Sequence, residues 1–214
     1  MGKIKAGKMV IQNQINELNT FFQDAKPSEI IKKAFEISHK AVVTTNFRPY
    51  EAAILHAVNL VQPNIDVVWC DTGYNTPQTY KHANQVIEAL QLNVSLYVPQ
   101  QTVAHRDIVM GIPSVDDPKH GLFTEQVKLE PFRRAMEIHK PKVWFTNLRK
   151  GQTAFRDSIG IFSISKDGIL KVSPFYHWSD ADLDAYLKEH KLPNEFKYFD
   201  PTKALENREC GLHA

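Results

Sequence analysis

The sequence predicts an α/β fold, a mostly parallel twisted sheet with helices on both faces. Short apolar runs of strand-like composition alternate with amphipathic helical stretches along most of the chain, the pattern of successive βαβ units. The 214 residues, 43% hydrophobic and 23% charged, suffice for one buried core. Glycine is scarce, nine in all and none between Gly7 and Gly73, which excludes a glycine-rich phosphate loop near the N-terminus.

The elements follow in order. Ile11, Ile15, Leu18, Phe21 and Phe22 fall at helical spacing, and Pro27 opens a second helix through Phe35 and Ile37. Ala41–Thr45 reads as a buried strand, followed by a helix from Tyr50 to Leu60. Ile65–Cys70 is a strand, Thr76–Leu90 a helix and Val94–Val98 a strand. Residues 99–127 are polar and aperiodic and are expected to form a loop. A helix over Pro131–His139 and a strand over Lys142–Thr146 come next. Ile159–Ile164 and Ile169–Val172 flank Asp167-Gly168, the signature of a hairpin. Ser179 caps a helix over Asp180–His190, with Asp180 and Asp182 in its first turn. One domain is expected, with an N-terminal helical pair over 1–39, an α/β core over 40–178, and a C-terminal helix and tail over 179–214.

The net charge is only +2, but the segment from Lys128 to Arg156 holds eight Lys and Arg against two Glu. One basic block in an otherwise acidic chain favours an anionic small ligand over a nucleic-acid surface, and no RNA-binding motif or aromatic stacking platform is present. A solvated helix face is the bland alternative. The N-terminus has no apolar signal region and no run of about 18 apolar residues follows, so a cytoplasmic chain with reduced thiols and no membrane contact is expected.

In open parallel sheets, ligands bind beyond the C-terminal ends of the strands. The first strand ends in Thr44, Thr45, Asn46 and Phe47, then Arg48 and Pro49. Its hydroxyls, backbone N–H groups and the following helix N-terminus suit a phosphate, although Thr45 or Asn46 can equally serve as a helix cap. The second ends in Asp71, Thr72, Gly73 and Tyr74. Gly73 permits a sharp turn and Asp71 suits a ribose or amine, but an ordinary strand-to-helix turn with Pro77 near its start fits the same residues. Arg149, Lys150, Gln152 and Arg156 follow the strand at Trp144 and are placed to clamp oxyanions, unless they are plain surface charge.

Two cysteines are too few for an iron–sulfur cluster or a four-cysteine zinc site. Cys210 and His213 have a zinc-like spacing, but two ligands make no site, and no metal is expected. Cys70 lies in an apolar strand and reads as packing. Cys210, near the end of a polar tail, can offer its sulfur first to a ligand and then to a second protein, with an inert tail as the alternative. His213 and Arg208 favour its thiolate, whereas Glu209 opposes it.

Taken in order, these segments resemble the phosphoadenylyl-sulfate (PAPS) reductases of sulfate assimilation. The matching stretches are Asp71-Thr72-Gly73-Tyr74 with Pro77-Gln78-Thr79, Lys128-Leu129-Glu130-Pro131, and Trp144-Phe145 leading to Leu148-Arg149 with Gln152 and Arg156. Lys171-Val172-Ser173-Pro174 with Trp178 follows, then the terminal Glu209-Cys210-Gly211-Leu212-His213, the family's most specific signature. The resemblance implies an adenine nucleotide alpha-hydrolase-like fold and reduction of PAPS to sulfite and adenosine 3′,5′-bisphosphate (PAP). It implies Cys210 as nucleophile with Glu209 and His213 beside it, and thioredoxin or glutaredoxin as electron donor without an iron–sulfur cluster. Substrate contacts carry over to Thr44–Phe47, Asp71–Tyr74, Lys128, Arg149, Gln152 and Arg156. A homodimer is also implied.

Three departures stand out. The family's Ser-Ser-Phe-Gly type loop is here Thr45–Pro49, without glycine. Asn147 stands where the family usually has Gly. The family's glycine-containing stretch before the terminal cysteine has no counterpart in the glycine-free residues 192–208. An adenosine-nucleotide-binding homologue with weak or no turnover is the alternative these departures keep open.

Overall fold

Alternation along each strand decides which side chains face which layer. In the computed structural model, which describes residues 2–203 and side chains from residue 11, six strands form one sheet. They are β1 (Ala41–Thr45), β2 (Asp66–Cys70), β3 (Asn93–Tyr97), β4 (Val143–Phe145), β5 (Phe162–Ile164) and β6 (Leu170–Val172), in the spatial order β3-β2-β1-β4-β6-β5. All neighbours are parallel except the β5–β6 hairpin. The expected mostly parallel sheet and the hairpin around Asp167-Gly168 are both present.

Val43, Val67, Trp69, Phe145 and Val172 point to one face, where they meet α1 (Gly2–Phe21), α2 (Pro27–Ile37), α3 (Glu51–Val61), α4 (Pro77–Leu90) and α9 (Asp180–Glu189). The opposite face carries Val42, Val68, Tyr97 and Trp144 and is covered mainly by Ala135, Phe132 and Met136 of α7 (Glu130–His139). With a side-chain period of two, Thr44 and Cys70 follow Val42 and Val68 onto this thinly covered face. The edge strand β5 is closed by a side chain. The Asn19 amide of α1 donates to Phe162 O (2.9 Å) and accepts from Phe162 N (2.8 Å), occupying the groups another strand would take.

Residues 99–127 differ from the expected loop. Thr102 caps α5 (Val103–Val109), accepting from His105 N at 3.3 Å, and α6 (His120–Thr124) runs into a π turn over Glu125–Leu129 before α7. Apolar periodicity missed them because one of their anchors is polar: Arg106 is fully buried, with Nη2 donating to Gln101 O at 2.7 Å. The π turn leads directly into α7, where Pro131 lacks the N–H that a continuing helix would use, and it holds Lys128 buried beside the strand ends. No helix among the described residues is long and apolar enough to cross a membrane.

Burial holds His56 and His82 below the ordinary histidine value, as it does His177 with help from Lys150. The unfolded chain therefore takes up protons before the folded one, so stability is full above about pH 6.5 and falls as pH drops below it. A melting temperature several degrees lower at pH 5.5 than at pH 7.5 is expected in thermal scans; an equal or higher value contradicts this account of the three histidines.

Candidate functional site: a basic cleft at the strand ends

The link from β1 to α3 turns without a glycine. Phe47 and Tyr50 take left-handed backbone angles instead (φ 52° and 69°), a conformation that costs a non-glycine residue about 1–2 kcal/mol. Phe47 is buried against Trp69 of the neighbouring strand, with ring centroids 4.8 Å apart, so its side chain serves the core and not the cleft. Glu51, at the first turn of α3, gathers the rest of the loop. Its carboxylate accepts from Thr45 Oγ1 (2.6 Å), Asn46 N (2.9 Å) and Arg48 Nε (3.0 Å). With the Asn46 amide nitrogen toward Glu51 (3.1 and 3.2 Å), its oxygen accepts from Tyr198 OH at 2.6 Å. Thr44 accepts from Trp144 Nε1 at 2.9 Å.

Thr44, Thr45, Asn46, Arg48 and Glu51 wall a cleft of about 80 Å³ beyond β1 and β4, shared with Lys128, Thr146, Asn147, Arg156 and Lys203. An open recess of about 510 Å³ adjoins it and has Arg48, Arg156 and Lys203 in common with it, adding Arg149, Lys150 and Gln152. The three arginines are held from behind. Arg48 Nη2 donates to Asn147 O (3.2 Å). Arg149 pairs with Asp180 (2.5 Å), donates to Trp178 O (3.3 Å) and lies 5.4 Å from the Tyr50 ring centroid. Gln152 Oε1 accepts from Arg149 N (3.2 Å) and from Arg156 Nη1. Arg149 Nε and Asn147 Oδ1 are buried with no hydrogen-bond partner.

Lys128 reaches the cleft paired to Asp200 at 2.5 Å. Burial pushes the Asp200 carboxyl up, but the Lys128 ammonium and hydrogen bonds from Lys128 and Thr202 outweigh that and leave it below the usual carboxylate range. Cys70 lines the cleft as a thiol, since burial pushes its pKa up to about 12. Among the described residues, no group of three or more His, Cys, Asp and Glu is arranged to hold a metal.

Asp71, Thr72, Gly73 and Tyr74 sit at the next strand end, outside the lining of these two recesses, and are engaged with their own turn. The Asp71 carboxylate accepts from Gly73 N (2.8 Å), Asn75 Nδ2 (2.8 Å) and Tyr80 OH (3.0 Å), and Thr72 Oγ1 accepts from Tyr74 N (3.2 Å). Tyr74 OH donates to Asp107 at 2.7 Å. Gly73 has φ 82°, and a Cβ there would come within 2.5 Å of Val103 Cγ2. Of the expected site residues, then, Thr44, Thr45, Asn46, Lys128, Arg149, Gln152 and Arg156 converge, while Asp71–Tyr74 form a separate cluster. Glu209, Cys210 and His213 lie outside the described residues. Sequence reasoning did not single out Glu51, Tyr198, Asp200 or Lys203. Only Glu51 left a local signal, as an acid three residues after Arg48 at a helix start.

The phosphoadenosine phosphosulfate reductase domain model matches residues 40–199. A phosphoadenosine 5′-phosphosulfate reductase of Synechococcus sp. is 32% identical over 184 residues, covering 84% of this chain and 78% of that protein. Its counterpart in Xylella fastidiosa is 33% identical over 204 residues, covering 80% and 81%. Among solved structures, the phosphoadenylyl-sulfate (PAPS) reductase from Candida auris, a phosphate complex, superposes with a TM-score of 0.75 at 26% identity, covering 86% of this chain and 88% of that one. An NH3-dependent NAD synthetase from Campylobacter jejuni shares the fold alone, with a TM-score of 0.56 at 10% identity. The match begins just before β1 and runs past α9 to the segment that meets Asn46, so it takes in the sheet and all of the basic cleft but Lys203: the chain belongs to the phosphoadenosine phosphosulfate reductase domain family.

Proposed function

We propose that this chain reduces 3′-phosphoadenylyl sulfate to sulfite and adenosine 3′,5′-bisphosphate, with Cys210 as nucleophile and a thioredoxin or glutaredoxin as electron donor. The observation that carries this reading is the convergence of Arg48, Arg149, Arg156 and Lys203 on one cleft at the C-terminal strand ends. A thiolate approaching an ester with several negative charges needs those charges neutralised in advance, and fixed cations in a partly closed site do so most effectively.

In the first step the Cys210 thiolate attacks the sulfuryl sulfur. The S–O bond to the 5′-phosphate breaks, the bisphosphate leaves with that electron pair, and Cys210 carries an S-sulfonate. A donor thiolate then attacks Cys210 Sγ and expels sulfite. The donor's second thiol resolves the mixed disulfide, so two electrons come from the dithiol and no cluster is required. Thr44, Thr45, Asn46 and the Phe47 backbone, with Asp71–Tyr74 beside them, hold the adenosine and phosphates. Lys128, Arg149, Gln152 and Arg156 face the charged groups. His213 and Glu209 flank the thiolate. Lys203 lines both recesses, and seven further residues, spanning at most about 25 Å, bring the chain to Cys210. The thiol chemistry needs the reducing conditions of a cytoplasmic compartment. The chain acts as a homodimer, a reading supported by the apolar groove between α1 and α2, where the Phe21 ring is 81% exposed.

Incubating the protein with PAPS and weighing it intact tests substrate, nucleophile and chemistry together. An added sulfonate on Cys210, absent in Cys210→Ser and discharged as sulfite by reduced thioredoxin, is expected; a wild type that gains no mass contradicts the reading. Removing a cation that contacts the nucleotide costs about one charge-assisted hydrogen bond, or roughly tenfold in affinity. Arg149→Met and Lys203→Met are therefore each expected to weaken PAP binding by about that factor in calorimetry. Unchanged affinity in both removes the cleft from consideration as the binding site.

A further inference from the structure

The turn from β1 to α3 carries the donors that a phosphate would use, and a carboxylate of the chain already holds them. Glu51 is 6% exposed. It accepts from Thr45 Oγ1 (2.6 Å), Asn46 N (2.9 Å), the Asn46 amide nitrogen (3.1 and 3.2 Å) and Arg48 Nε (3.0 Å). Neighbouring N–H groups are engaged as well. Phe47 N donates to Thr45 Oγ1 (2.9 Å), Tyr50 N to Asn194 Oδ1 (2.9 Å) and Glu51 N to Arg48 O (3.2 Å), while Pro49 has no N–H. The positive end of α3, where an anion is ordinarily favoured, thus faces an anion built into its own first turn. A phosphate that took these donors would leave the Glu51 charge buried and unpaired beside it, where water and salt screen it little. The strained angles at Phe47 and Tyr50 would also lose the bonds that offset them. The adjoining recess of about 510 Å³ imposes no such exchange. Arg149, Lys150 and Arg156 line it, and Asp180 on its wall has a side chain 64% exposed, so that charge is well screened.

We propose that Glu51 is a specificity-determining residue: its buried carboxylate keeps phosphate off the turn after β1, so a bound adenosine nucleotide meets this turn with an uncharged part and places its phosphates on Arg149 and Arg156. The inference rests on the reading of the cleft as a nucleotide site given above, and it assigns the phosphates within that site. Two anions cannot share one set of donors, and the one tethered to the chain loses no freedom of translation by staying. Thr45 and Asn46 then stand against the adenosine. Glu51 acts on the ligand by charge and takes no part in making or breaking bonds.

The test compares wild type, Glu51→Gln and Glu51→Asp as full chains, with PAP and adenosine as probes in calorimetry at one ionic strength. Glu51→Gln keeps an oxygen that can accept from Thr45 and Asn46 but removes the charge. It is expected to bind PAP about tenfold more tightly than wild type, and adenosine within about twofold. Glu51→Asp keeps the charge and is expected to show no such gain. A PAP affinity that stays level or falls in Glu51→Gln overturns the proposal, as does an equal gain in Glu51→Asp. PAP and adenosine changing alike mark a merely structural residue and overturn it too. If Glu51→Gln does not fold, a crystal structure of wild type with PAP decides. Glu51 is expected to remain within about 3.2 Å of Asn46 N, with the phosphates off that nitrogen. A phosphate oxygen on Asn46 N in place of Glu51 overturns this inference and leaves the nucleotide reading standing. A wild type that binds neither probe overturns that reading, and this inference with it.

Discussion

The carboxylate of Glu51 is the contact on which the site's geometry depends. A loop that leaves a parallel strand and enters a helix within a few residues usually relies on glycine, and here two bulky residues take left-handed angles in its place. Glu51 offsets that strain by accepting from Thr45, Asn46 and Arg48 at once on one buried group. The same bonds set where Thr45, Asn46 and Arg48 stand on the cleft wall. Backbone shape and ligand-facing surface are thereby fixed by one side chain.

A second constraint is charge. Packing several cations around one cleft costs free energy by mutual repulsion, and the chain meets this by giving three of them a carboxylate behind. Arg48 has Glu51, Arg149 has Asp180 and Lys128 has Asp200. These partners reduce the net positive potential of the cleft. In exchange they hold the guanidinium and ammonium groups in place before a ligand arrives, so little reorganisation is left for binding or reaction. The segment after α9 supplies Asp200 to Lys128 and Tyr198 to Asn46, which ties it to the loop after β1.

Much of the sheet was legible because alternation and capping are local. Ala41–Thr45 and Ile65–Cys70 announce buried strands by composition, and Thr76 with Pro77 and Ser179 with Asp182 announce helix starts. The helices within residues 99–127 were not legible, because a period sought in apolar residues passes over the buried Arg106. Phe47 looked like part of a ligand loop, but Trp69 on the neighbouring strand claims its ring. Asp71–Tyr74 was open to two readings, and its hydrogen bonds run within the turn and to Tyr80 and Asp107 on the helices beside it. The Lys128–Asp200 pair joins residues 72 apart through tertiary packing alone, so no sequence window contains both.

The central claim is that the cleft at the ends of β1 and β4 receives the anionic part of an adenosine nucleotide. A crystal structure with adenosine 3′,5′-bisphosphate bound tests it most directly. The account predicts phosphate oxygens within about 3.2 Å of guanidinium nitrogens among Arg48, Arg149 and Arg156. A nucleotide whose phosphates lie elsewhere, with those three arginines keeping only their present partners, contradicts it.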